Sequence, residues 1–253
     1  MSTKPTYQFR RVTAGVETLP RGFSMPRHHH NEGYAIVVLS GCFTEVGFAG
    51  RMYAEPGHVL LHGRFDCHLA NATLKQRPEI LRLPWRHDTI EGRFSLKDPD
   101  SLVRLAETDP EAAAAALYDD LRTVAPRDEY WVDDLACALR NNSISRLQEW
   151  AETRGLRPDT VSYVFGREFG VCPKRFRLEC RTRLAWRAIM CSSSSFTDIA
   201  FNLGFADLAH LTRSIRLLTG RSPSDWRLRQ QAQFGRAPTG RHRKAPRGRV
   251  RPA

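Results

Sequence analysis

The sequence predicts an α+β chain of several parts: an antiparallel β-domain in front, a helical linker, and an all-α domain built from two helix-turn-helix motifs. Three observations predict it. Short apolar runs broken by glycine fill the first 95 residues, the composition turns helical after Asp98, and the helical half repeats itself at a nearly constant offset. The expected divisions are 1–95, 96–126, 127–233 and a basic tail, 234–253.

In the front part, the runs Tyr34-Ala35-Ile36-Val37-Val38-Leu39, Cys42-Phe43-Thr44-Glu45-Val46 and His58-Val59-Leu60-Leu61 alternate with Ser40-Gly41, Ala49-Gly50 and Pro56-Gly57. Short strands with turn residues at such intervals point to an antiparallel sandwich or barrel. Residues 99–106 and 110–124 then read as helices, the second an alanine run carrying Leu117, Leu121 and Val124 on one face. Its alanine surface suits close helix approach, and so a dimer contact. Ala125-Pro126-Arg127 breaks the chain. Beyond it the expected helices are 130–140, 144–153, 159–168, 174–190, 196–202, 207–218 and 223–231.

Phe165, Gly170, Pro173, Phe176 and Arg177 recur 50 positions later as Ile215, Gly220, Pro223, Trp226 and Arg227. Upstream, Glu149, Ala151 and Gly155-Leu156 recur 49 positions later as Asp198, Ala200 and Gly204-Phe205, a shift assigned to the connecting helix region. Fixed-offset recurrence marks two copies of one supersecondary unit. Each copy is a helix, a turn at glycine and a second helix. Thr197 and Asp207 are the expected caps in copy two. Helical periodicity turns Val161, Val164 and Phe165 inward in copy one, and Leu211, Ile215 and Leu218 in copy two. Polar and arginine side chains remain outside, suited to base edges in a major groove.

The decisive stretch is Phe196-Thr197-Asp198-Ile199-Ala200-Phe201-Asn202-Leu203-Gly204-Phe205, followed by Leu211-Thr212-Arg213-Ser214-Ile215-Arg216, Gly220, Pro223 and Trp226-Arg227. The run 144–227 resembles the AraC/XylS family of bacterial regulators. It departs at Leu211 and Ile215, where the family usually has aromatics, although both remain apolar. The resemblance implies a DNA-binding transcriptional regulator, an activator in the simplest case, with double-stranded DNA, RNA polymerase and a second copy of the chain as partners. It implies two recognition helices in successive major grooves, held apart by 173–190, a connector about 27 Å long. Thr160, Ser162 and Tyr163, with Asp159, would face bases from the first unit. Ala209, Thr212 and Arg213, with Leu208, would do so from the second. Arg167, Arg175 and Arg216 are the expected phosphate contacts, which position without specifying.

Gly22 followed by His28-x-His30, with Gly50, Pro56-Gly57 and His68 downstream, resembles the motifs of the cupin barrel. Metal-binding cupins place a Glu four or five residues after the second His, where this chain has Tyr34 and Ala35. A metal needs at least three converging ligands. The expectation is therefore a cupin-like barrel without metal or cofactor, in which His28, His30, Tyr34 and His68 line the pocket of a small-molecule effector. Trp85 and Trp131 read as core.

Net charge is +12, and 130–234 carries 16 basic against 10 acidic groups, as expected of a half that meets phosphates. The tail after 234 adds seven cations and no acid, and reads as disordered. A non-specific DNA-binding reading would rest on that tail, which can supply only salt-sensitive affinity. An enzymatic reading would need a metal-loaded front barrel, and no Ser/His/Asp order or carboxylate pair demands catalysis. The polar start, 1–8, lacks the apolar segment of a secretory signal, so a cytoplasmic protein without membrane contact is expected. The six cysteines have no CxxC spacing and read as free thiols, mostly in the core.

Overall fold

The computed structural model describes residues 13–124, 130–144 and 146–234. The expectations for the N-terminal segment, the break at 125–127, Ser145 and the basic tail lie outside those residues.

Nine strands come first: β1 (Gly15–Thr18), β2 (Ser24–His28), β3 (Tyr34–Ser40), β4 (Phe43–Gly47), β5 (Gly50–Ala54), β6 (His58–His62), β7 (His68–Asn71), β8 (Glu79–Pro84) and β9 (Gly92–Ser95). Helices α1 (Pro99–Ala106) and α2 (Pro110–Asp120) follow, then a short strand β10 (Arg122–Thr123). Two antiparallel sheets result, ordered β1-β8-β3-β6-β9-β10 and β2-β7-β4-β5. Among the described residues no strand of one sheet pairs with a strand of the other, so the domain is an open two-sheet sandwich and not the closed barrel expected.

The run in β3 has no polar gap because its sheet is covered on both faces. Tyr34, Ile36 and Val38 point between the sheets, against Phe43, Met52 and Ala70 of the smaller one. Ala35 and Val37 point the other way, into a core shared with Leu102, Ala106, Ala113 and Leu117 of α1 and α2. The alanine helix is thus folded onto its own sheet, with Ala113 and Leu117 fully buried. It also ends earlier than periodicity suggested. Asp119 and Asp120 oppose the dipole at its C-terminus, Asp120 accepts from the Lys97 amide at 2.9 Å, and Arg122 and Thr123 pair with Ser95 and Phe94.

The remaining helices are α3 (Trp131–Arg140), α4 (Leu147–Glu152), α5 (Pro158–Phe169), α6 (Pro173–Cys191), α7 (Phe196–Asn202), α8 (Leu208–Thr219) and α9 (Pro223–Phe234). They form two cores strung along α6. Val132, Leu135, Trp150, Val161, Phe165, Phe169 and Phe176 make the first, which also takes in Val46 and Leu69 from the smaller sheet. Trp186, Ile189, Ile199, Leu211, Ile215 and Trp226 make the second, with Phe65 and Cys67 from the β6–β7 loop. The helical half therefore packs directly on the outer face of the small sheet. Trp85 is core as expected, whereas Trp131 is only half buried. Cysteine behaves differently from expectation. All six are free, but only Cys67 and Cys180 are buried, while Cys137, Cys172 and Cys191 are exposed.

Candidate nucleic-acid interface and histidine cavity

Each helix-turn-helix unit turns on a glycine that L side chains fit badly: Gly155 at φ 65° and Gly204 at φ 73°. The amide two steps after each turn's start returns to the same carbonyl, Leu156 to Ala151 and Phe205 to Ala200, both at 2.9 Å. That equivalence holds at offset 49. The next pair, Val161 to the Arg157 carbonyl and Leu211 to the Asp207 carbonyl, is at offset 50. The extra residue of the second copy therefore lies in its turn, at Ala206, and not in the connector as the sequence reading had it. It brings Asp207 to the N-cap of α8, where the carboxylate accepts from the His210 amide. The first helix of this unit is capped by Ser195, whose Oγ accepts from the Asp198 amide at 3.1 Å, and not by Thr197.

The outward faces are open. In α5, Thr160, Tyr163 and Arg167 are exposed, Tyr163 to 70%, and Ser162 is half buried. In α8, Leu208, Ala209, Arg213 and Arg216 are exposed and Thr212 half buried, while Leu211, Ile215 and Leu218 are buried beneath them. Two phosphate candidates already meet carboxylates: Arg167 Nη2 donates to Glu168 at 3.0 Å from an exposed position, and Arg175 is half buried. Its Nε donates to Glu179 at 3.0 Å, so a carboxylate already holds it. Sequence reasoning missed Arg181, which joins the two units. Its guanidinium donates to the Gly204 carbonyl and to Asn142 Oδ1, each at 2.8 Å.

The front site is built by strand register. Pairing of β2 with β7 sets His28 opposite His68, and pairing of β3 with β6 sets Tyr34 opposite His62. His28, His30, Tyr34 and His68 are all buried and line a cavity of about 310 Å3 between the sheets. Its other walls are apolar, among them Phe23, Ile36, Phe43 and Ile80. His28 Nδ1 donates to the Pro26 carbonyl at 2.9 Å and His68 Nδ1 to the Asp66 carbonyl at 3.0 Å. His28 Nε2 lies 3.1 Å from His30 Nε2, and the Tyr34 hydroxyl donates to His68 Nε2 at 2.9 Å. Burial and the neighbouring His62 charge hold His68 well below its usual pKa, so it is neutral.

Behind this cluster lies a buried charged group that the sequence did not disclose, because its members come from three separate segments. His62 donates through Nδ1 to Asp66 at 3.0 Å, and its Nε2 approaches Glu45 Oε1 to 3.0 Å, out of hydrogen-bond alignment. Burial opposes its charge, but the two carboxylates prevail and push it up to about 10. Asp66, against its burial, is held well below the usual carboxylate range by His62 and by Arg183 of α6.

Three grips join the cavity's strands to the helical half. Arg27 donates through Nε to Glu179 at 2.9 Å and through Nη1 to the Phe169 carbonyl at 3.1 Å. Phe65 packs edge-on against both Trp186 and Trp226, with ring centroids 4.9 and 5.8 Å away, and the two indoles also touch each other at 5.8 Å. Arg183 donates to the Arg64 carbonyl at 2.9 Å and to both oxygens of Glu91.

Residues 150–229 match a family described as a helix-turn-helix domain. The matched segment takes in α5 to α8 and half of α9, the part of the chain whose sequence resembles the AraC/XylS family. Among curated proteins, the chain is 28% identical over 188 residues to the transcriptional activator RhrA of Rhizobium meliloti, covering 65% of this chain and 59% of RhrA. It is 24% identical over 266 residues to the transcriptional activator RhaS of Escherichia fergusonii, covering 88% of this chain and 95% of RhaS. The chain thus spans about three-fifths of RhrA's length. Among solved structures, ToxT from Vibrio cholerae O395 aligns over 85% of this chain and 96% of its own at 8% identity and a TM-score of 0.41. No helix among the described residues is long and apolar enough to cross a membrane.

Proposed function

We propose that the protein is a sequence-specific DNA-binding regulator of transcription, working in the cytoplasm, with an effector held in the front cavity. The observation that carries this reading is the pair of like-built units on one α6, each presenting an open polar face on its second helix. The names of RhrA and RhaS favour activation, which makes RNA polymerase a partner of the DNA-bound chain. Pairing with a second copy remains part of the proposal, through the alanines of α2 that its own sheet does not cover, Ala115 and Ala116.

Thr212 and Arg213 are assigned to bases from α8, and Thr160, Ser162 and Tyr163 from α5, with Ala209 in apolar contact. Arg167 and Arg216 are assigned to phosphates. Arg175 is left out because it is half buried and held by the buried Glu179, whereas Arg167 stays exposed beside Glu168. Genomic fragments selected by the purified protein supply the target for the test. Arg213→Ala is expected to weaken binding to them by about 1–3 kcal/mol while sparing non-specific binding. Unchanged affinity for the selected fragments would overturn the assignment.

A further inference from the structure

The three-imidazole end of the cavity has the features of an ion site. We infer that it binds one divalent late transition metal ion, Zn2+ or a neighbour such as Co2+ or Ni2+, and that this ion is the effector to which the helical half responds. The second half of the inference rests on the DNA-binding reading; the first does not.

His28, His30 and His68 are buried, and their ligating atoms lie within 4.8 Å of one another. Zinc–imidazole bonds of about 2.0–2.1 Å in tetrahedral array separate the nitrogens by about 3.4 Å, so small side-chain movements close the set. Tautomer is already settled for two of the three. A carbonyl can only accept, so His28 and His68 each carry the proton on Nδ1, and their inward Nε2 lone pairs accept from His30 Nε2 and the Tyr34 hydroxyl, contacts that the ion would replace. Orienting an imidazole through its outer N–H is what metal sites require of their surroundings. The three imidazoles supply nitrogen and no carboxylate joins them, because Tyr34 occupies the place where the cupin resemblance calls for a Glu. Imidazole ligands suit zinc, copper and nickel, whereas magnesium and calcium favour oxygen.

The ligands also flank the grips on the helices. His28 follows Arg27, which holds Glu179 and the end of α5. His68 lies three residues after Phe65, wedged against α6 and α9. His29, between two ligands, has its ring 6.0 Å from that of Phe65, and Phe65 and Cys67 share a core with Leu211, Ile215 and Leu218 of α8. Drawing the three imidazoles together therefore pulls on segments that touch both recognition helices.

The test uses the full chain without a histidine tag. Dialysis against Zn2+ or Co2+ followed by elemental analysis is expected to give one ion per chain, and His30→Gln and His68→Gln to weaken binding about 100-fold or more. Replacing the exposed Cys137, Cys172 and Cys191 by Ser should change nothing. The Co2+ spectrum should lack thiolate charge transfer, a reading that does not depend on any variant folding. Absence of a stoichiometric ion, or loss of it with the three cysteines, overturns the site. Affinity for selected DNA fragments is expected to change about tenfold between metal-loaded and chelator-treated protein, and not at all in His68→Gln. An ion that binds without altering DNA affinity overturns the effector role. Failure to bind DNA in either state removes the regulatory reading and the effector role with it, while the ion measurement still decides the site.

Discussion

Glu91→Gln is expected to destabilise the folded chain by about 3–5 kcal/mol, read as a lower denaturant midpoint with the slope unchanged. Glu91 receives Arg183 on both oxygens and Arg187 on one, and accepts from the Gly63 amide at 3.1 Å. Arg183 is 1% exposed, with its guanidinium 4.7 Å over the Phe48 ring. A neutral amide cannot balance a guanidinium shut away from water, and the cost of an unpaired buried charge exceeds that of a lost hydrogen bond. Replacing both ends with apolar residues, Glu91→Leu with Arg183→Met, should cost less than the single change, since the buried Arg183 charge goes with its partner and only the lesser contacts of Arg187 and Asp66 are lost. Equal midpoints for Glu91→Gln and the parent protein would show that water reaches Arg183.

Phe65→Ala should cost a similar amount, about 3–5 kcal/mol, for a different reason. The side chain is 1% exposed, and its removal leaves a void beside the Trp186–Trp226 pair. Its backbone sits at φ 60°, a conformation that strains a bulky L residue. Only the packing of the ring on the helices and the bond from its amide to the His30 carbonyl, at 2.8 Å, hold it there. Alanine keeps the strain and loses the packing. Tryptophan emission should shift to the red at denaturant concentrations where the parent protein is still folded. An unaltered unfolding curve would mean that the loop refills the void.

Much of the helical half was legible because its signals are local. Gly155 and Gly204, Asp207 as a cap and the inward Leu211, Ile215 and Leu218 each follow from spacing within one turn or one helix. The displaced offset was misplaced because a one-residue insertion in a turn and one in a helix look alike in a repeat; only the return of the Leu156 and Phe205 amides separates them. In the front part the strands were legible, yet the partners across them were not. His28 against His68, and Tyr34 against His62, are products of register, which long-range pairing sets. Glu45, His62 and Asp66 escaped notice for the same reason, as did Arg27 with Glu179, 152 residues apart. Reading the cysteines as core failed because sulfur is at home on either side of a helix, and Cys137 and Cys191 fall on the outer one, while Cys172 precedes α6 as its exposed N-cap.

The connecting helix α6 runs for 19 residues with no exposed arginine left to spare at its middle. Arg181 holds the turn of the second unit, Arg183 holds Glu91, and Arg187 shares it. A rod anchored this way acts as a ruler with a fixed angular phase as well as a length. Each added residue in an α-helix advances about 1.5 Å and turns about 100°. One residue gained or lost in α6 would barely alter the distance between the two reading faces, but it would swing one of them to another side of the axis. Chain length in α6 is therefore held by rotation far more tightly than by reach, whereas the turns, as Ala206 demonstrates, accept an extra residue while the bonds on either side of it are kept.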